Sequence, residues 1–158
     1  MLKPFLAACA MATALVMTGC STTESMHSSP HASHHRDNMG LYQRQWIATQ
    51  INGNDIRMDR AAGRNPSIQF DARSHRYFGA DGCNQIQGRF ESEGRQLRIG
   101  QSASTMMACY GRNASISRQY NDALAQTTSY RLRGHELKFL DRSGNVVASF
   151  VTVIQPLP

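Results

Sequence analysis

The amino-acid sequence predicts an α+β domain, in which a curved, mainly antiparallel, half-barrel-like sheet of about eight short strands packs with one helix. Two observations carry this expectation. From Tyr42 onward the chain falls into short alternating runs punctuated by turn signals. A single stretch abandons that period of two for helical spacing. One helix among so many strands leaves strand pairing as the main means of burial, so the sheet curves and the helix covers one side.

The elements follow in order. Trp46–Ile51 is closed by Asn52-Gly53, a dipeptide suited to a tight turn. Ser67–Asp71, Arg76–Ala80 and Gln85–Glu91 come next, the last with Ile86, Gly88 and Phe90 on one face. Glu93-Gly94 turns the chain into Gln96–Ile99, where Leu97 and Ile99 alternate. Ile116, Tyr120, Ala123 and Leu124 then recur at i, i+4, i+7 and i+8 and make one face of a helix. Asn113 or Ser115 caps its start, whereas Thr127, Thr128 and Ser129 are poor terminators. Ser129–Arg133 and Glu136–Leu140 flank Gly134-His135, and Val146–Val153 follows Ser143-Gly144-Asn145 as the second strand of a hairpin.

A chain of 158 residues, 41% hydrophobic and 18% charged, suits one packed domain and excludes a multidomain enzyme or a multi-span transporter. Its 17 Lys and Arg against 11 Asp and Glu give a net charge of +6, carried almost wholly by arginine. Those arginines are interleaved with acids and form no basic run and no stacking motif, so no nucleic-acid partner is expected. A solvated, arginine-biased surface, or attraction to anionic lipid headgroups, accounts for the balance.

Residues 1–19 read as an export signal. Lys3 supplies the positive start, Phe5 to Val16 is an apolar run too short to span a bilayer, and Met17-Thr18-Gly19-Cys20 closes it. Small residues before a cysteine resemble a bacterial lipobox, which implies cleavage before Cys20 and a diacylglycerol on its thiol. An ordinary secretory signal with a chance cysteine is the alternative. Ser21, in place of an Asp, points to the outer membrane, with the domain facing the periplasm. Loss of the signal removes Lys3, and the mature chain carries +5. Residues 20–41 then form a lipidated cysteine and a Ser- and His-rich tether, too poor in apolar residues to fold, with a reach of about 25 Å. The domain proper is placed at 42–158.

The tether holds His27, His31, His34 and His35, a tract that can buffer Zn, Cu or Ni weakly but has the spacing of no defined site. His75 and His135 sit in turn-like contexts and face solvent. Cys83, in Asp81-Gly82-Cys83-Asn84, and Cys109, after Thr105-Met106-Met107-Ala108, are either bridged or buried thiols in an oxidising compartment. A nucleophilic role would need a base, and only His75 and His135 are available. Asp71 and Asp81 are the nearest paired carboxylates, though acids in turns are usually turn formers. Gly82 and Gly88 permit a tight turn and a close backbone approach, and Asn84 can bond backbone locally. At least one of Met106 and Met107 fills the core, and the pair can line a groove.

These residues also resemble a known family. Trp46, Ile68, Phe70-Asp71, Gly82-Cys83-Asn84, Gly88 and Phe90, then Gly94, Leu97, Ile99, Thr105 and Met107-Ala108-Cys109, look like the META domain of the HslJ-like lipoproteins. Leu124, Tyr130, Leu137, Leu140 and Phe150 continue the likeness, which covers about residues 42–153. It implies a small α+β domain with a curved antiparallel sheet around a helix, and it implies no catalytic residues and no cofactor. Members of that family are linked to heat shock, drug tolerance and, in some parasites, secretion and virulence.

The expected function is therefore a non-enzymatic binding or scaffold module of the envelope. It is held to the membrane through its N-terminal lipid and engages an envelope protein. The alternatives are an envelope-associated hydrolase or thiol enzyme, and a metal-buffering lipoprotein acting through the histidine tract.

Overall fold

The computed structural model describes residues 40–42, 44–56 and 65–152. Among the described residues, ten strands and one helix run in the order β1 (Trp46–Ile51), β2 (Asn54–Asp55), β3 (Ser67–Asp71), β4 (Arg76–Ala80), β5 (Gln85–Glu93), β6 (Gln96–Ile99), β7 (Ala103–Ser104), α1 (Gly111–Gln126), β8 (Ser129–Arg133), β9 (Glu136–Leu140) and β10 (Val146–Thr152). Eight of the strands form an antiparallel ring, β1-β3-β4-β5-β6-β8-β9-β10, in which β10 pairs back to β1. The barrel is closed, where a half-barrel was expected. The closing ladder runs from Trp46 opposite Thr152 to Ile51 opposite Ala148, with a bulge between Ala48 and Gln50. Closure abolishes the two exposed edges that an open sheet of these strands would present.

The two short strands lie off the ring. β2 folds back on β1 through Asn52-Gly53, whose positive φ angles (49° and 77°) give a two-residue hairpin turn. β7 pairs with the first part of β5 while β6 pairs with the last part. The seam between β6 and β8 is short, Gln96 opposite Ser129, extended by the Leu97 and Tyr130 N–H groups donating to the Thr128 and Arg95 carbonyls.

The core fills the barrel with aromatic rings. Phe70 meets Phe90 edge-on with centroids 4.8 Å apart, and Phe139 lies 4.6 Å from Phe150. Trp46 is fully buried, and its Nε1–H donates to the Leu41 carbonyl at 3.0 Å. Leu41, which composition places in the tether, is itself fully buried. One pair of residues therefore fixes where the chain comes into the barrel.

The helix starts earlier than its expected caps. Its N-cap is Tyr110, with no side-chain cap, and Asn113 and Ser115 lie inside it. Cys109, which is tied to Cys83, immediately precedes this N-cap. Its end is marked by Thr127, whose hydroxyl donates to the Ala123 carbonyl at 2.8 Å while its N–H donates to Leu124. Tyr120, Ala123 and Leu124 are its buried face, as the spacing predicts.

Candidate functional site

The family-motif residues gather at the corner where β4 ends and β5 begins. Asp81 is 1% exposed. Its Oδ1 accepts the N–H groups of Cys83 (2.9 Å) and Asn84 (2.6 Å). Its Oδ2 accepts the Ser117 hydroxyl (2.7 Å) and the Asn121 amide (3.0 Å). Burial alone would raise the pKa of this carboxyl. The donors from Asn84, Ser117, Cys83 and Asn121 outweigh it and hold the group below its ordinary value. A buried anion satisfied by fixed donors is a structural centre, and this one joins the β4–β5 turn to the helix.

Asn84 makes the second tie. Its Oδ1 accepts the Met107 N–H at 2.9 Å and the Thr105 hydroxyl at 3.3 Å, and Thr105 Oγ1 in turn accepts the Gln85 N–H at 3.1 Å. The local backbone bonds expected of Asn84 are made by Asp81 instead, because the Asn84 side chain reaches across to the 105–107 segment. Cys83 and Cys109 form the third tie as a disulfide, their Cα atoms 6.1 Å apart, within the span such a bond requires. Gly82, at φ +96°, leaves room for the helix, since a Cβ there would sit 3.0 Å from Ile116 Cγ2. The G-C-N and T-x-M-A-C motifs are thus two halves of one fastening.

What the fastening holds is exposed and apolar. Met106 is fully exposed, Tyr110 84% and Met107 46%. Neither methionine fills the core, contrary to the expectation for at least one of them. The backbone of 105–107 is pinned against Gln85 and Asn84, which turns both side chains outward. Two residues beyond Tyr110, Arg112 begins the wall of a cleft of about 300 Å³ between the β1–β2 hairpin and the helix. Ile51, Ile56 and Ile116 make its apolar lining, and Asp55, Arg112 and Gln119 its polar one.

The other residues singled out in the sequence fall elsewhere. His75 and His135 are exposed, in the β3–β4 and β8–β9 turns. The β4 strand separates His75 from Cys83 by about 16 Å. Asp71 lies at the far end of the same ladder from Asp81, exposed, accepting the Arg73 N–H and the Ser74 hydroxyl as a turn former does. Cys20 and the tract His27, His31, His34 and His35 lie outside the described residues. Among the described residues, no cluster of three or more His, Cys, Asp and Glu is arranged to hold a metal, and no helix is long and apolar enough to cross a membrane. Ser117 and Asn121 are the residues that sequence reasoning missed. Their signal is a polar i, i+4 pair beside the apolar stripe of the helix.

Residues 39–153 match the sequence profile of the META domain. The chain belongs to the META domain family. No curated protein matches it. Among solved structures, the META domain here resembles a protein from Burkholderia xenovorans determined by NMR, at 20% identity and a TM-score of 0.57, covering 76% of this chain and 88% of that one. A DUF4847 family protein from Bacteroides vulgatus, solved by crystallography, matches at 15% identity and a TM-score of 0.51, over 73% of this chain and 96% of that one. At such identities the likeness is one of fold. Within the META domain, the motif cysteines and Asn84 secure one exposed loop to the barrel and the helix.

Proposed function

We propose that this chain is a lipid-anchored protein of the bacterial envelope whose META domain acts as a non-enzymatic binding module. Its contact surface is the Thr105–Tyr110 loop, and its partner is an envelope protein. The observation that carries the reading is the contrast within that loop. Its backbone is fixed by Asn84 and by the disulfide, yet Met106 and Tyr110 are left almost entirely in water. Fixing a loop before binding lowers the entropy lost on association, and methionine and tyrosine are adaptable, area-rich contact residues. On this reading a lipidated Cys20 is the anchor, and Ser21 after it favours the outer membrane, with the domain facing the periplasm. Envelope or heat-stress tolerance is the physiological setting that the family likeness suggests.

The test is a photo-crosslinking residue placed at Met106 in cells, with the same residue at Arg142 as the control. One dominant protein captured from Met106 and not from Arg142 supports the module. A blank at high labelling yield sinks it. The mass of the mature chain, with and without Cys20→Ala, tests the lipid.

A further inference from the structure

The charge of the barrel is divided between its two ends. The strand directions place the β3–β4, β5–β6 and β8–β9 turns at one end. The first of these hairpins carries Arg73 and Arg76 against Asp71. The second carries Arg89, Arg95 and Arg98 against Glu91 and Glu93. The third carries Arg131, Arg133 and Lys138 against Glu136 alone. Eight cations therefore meet four acids. At the opposite end Arg112, Arg118 and Arg142 meet Asp55, Asp81, Asp122 and Asp141, so three cations meet four acids.

The third hairpin concentrates the effect. Arg131 stands directly opposite Lys138 in the β8–β9 ladder. Two like charges in register weaken a strand pair and are a liability unless something anionic lies against them. A recess of about 130 Å³ opens between them, lined by Arg131, Arg133, Glu136 and Lys138.

The same end receives the N-terminal chain. Trp46, the first residue of β1, pairs with Thr152, whose N–H donates to the His135 carbonyl in the β8–β9 turn at 3.1 Å. The first described residues come to this same end, where Tyr42 bridges Phe70 on β3 and its ring lies 6.1 Å from Phe90, while the Met106–Tyr110 loop projects from the other end.

We propose that the hairpin end of the barrel, centred on Arg131, Arg133 and Lys138, docks on an anionic lipid bilayer and orients the domain with its exposed loop facing away from the membrane. The inference takes its compartment from the envelope reading above. Its chemistry is independent of that reading, because a negative headgroup layer attracts surface arginines whether or not Cys20 carries lipid.

The test uses the full chain with Cys20→Ala, which carries no lipid, sedimented with vesicles of phosphatidylcholine alone and of equimolar phosphatidylcholine and phosphatidylglycerol. The N-terminal segment, which carries Lys3, is common to the parent and both variants, so the readout is the change from parent to variant in the excess on the anionic vesicles. Each cation near the surface contributes roughly five-fold to that excess. Replacing all three by Gln (R131Q/R133Q/K138Q) is expected to lower it by roughly a hundred-fold. The variant R112Q/R118Q/R142Q removes the same charge from the other end and is expected to keep most of the excess. High salt is expected to abolish the excess in the parent chain. The first variant removes the like-charge pair of Arg131 and Lys138 together with the opposite-charge pair of Arg133 and Glu136, so its thermal midpoint is expected to hold, which separates lost docking from lost folding. Equal losses in the two variants would reduce the effect to net charge and overturn the proposal. So would a parent chain with no excess on anionic vesicles. Neither outcome touches the Met106 crosslink, which stands or falls separately.

Discussion

The Ser117 hydroxyl donates to Asp81 Oδ2 at 2.7 Å across a sequence separation of 36 residues, tying the second turn of the helix to the β4–β5 turn of the barrel. Since Asp81 also takes two backbone N–H groups and the Asn121 amide, its charge organises the corner on which the loop stands.

Asp81→Asn keeps the shape and removes the charge. An amide group then faces donors, and unfolding in urea at neutral pH should show a loss of about 2–3 kcal/mol. The pH dependence has a definite sign. The folded-state pKa of Asp81 is depressed, so its contribution is complete above the unfolded value of about 3.9 and is lost as pH falls through the lower folded value. Asp71 and Asp141 are also depressed, each by the hydrogen bonds of its own turn, and they remain in the variant. The variant should therefore have a shallower acid limb than the parent. Parallel acid limbs would mean that Asp81 carries no charge-dependent stability.

Tyr120 is fully buried, and among the described residues its hydroxyl has no hydrogen-bond partner. Burial raises its pKa well above the usual value, so the group stays neutral. Tyr120→Phe removes an unsatisfied polar atom and leaves the ring packed on Phe150. Stability should rise by about 1 kcal/mol in a denaturant titration. A clear loss would show that the hydroxyl has a partner.

Gly88 lies under the Tyr77 ring, where a Cβ would come within 2.6 Å of Tyr77 Cε1 and Oη. Tyr77 is fully buried, and its hydroxyl donates to the Gly100 carbonyl at 3.0 Å and meets the Ser102 hydroxyl at 2.6 Å. Gly88→Ala must push the ring off these partners and should cost about 2–3 kcal/mol. In a Tyr77→Leu background the same change should cost clearly less. Additive losses would place the cause elsewhere than the ring.

The disulfide closes a loop of 26 residues. In the chain-entropy account, Cys83→Ser with Cys109→Ser should lower stability by about 3.5 kcal/mol. If the loop binds as proposed, the Met106 crosslink should also weaken by more than the folded fraction falls. An undiminished crosslink in a folded double variant would show that the tie serves stability alone.

The principal strands stand where the alternation places them, Val153 lying outside the described residues and β5 running two residues further, to Glu93. The two-residue strands β2 and β7 are too short to carry alternation, and only the Asn52-Gly53 turn ahead of β2 gives a local sign of either. Gly82 and Gly88 were legible as sites of close approach. The helix begins ahead of Asn113 and Ser115, at a Tyr110 N-cap with no side-chain cap, so no capping residue marks its start.

Spacing and turn chemistry are local, and they determined the principal strands and the helix of this protein, while the motif residues stood out through the family resemblance. Closure of β10 on β1 depends on the summed twist and stagger of eight strands, which no single segment records. The Asp81 centre is likewise an event of tertiary structure. An acid in a turn reads as a turn former until the helix brings Ser117 and Asn121 against it, and only then does burial make its hydrogen bonds decisive. The outward turn of Met106 and the division of charge between the barrel ends have the same origin: each is set by where strands finish in space, and sequence order does not carry that information.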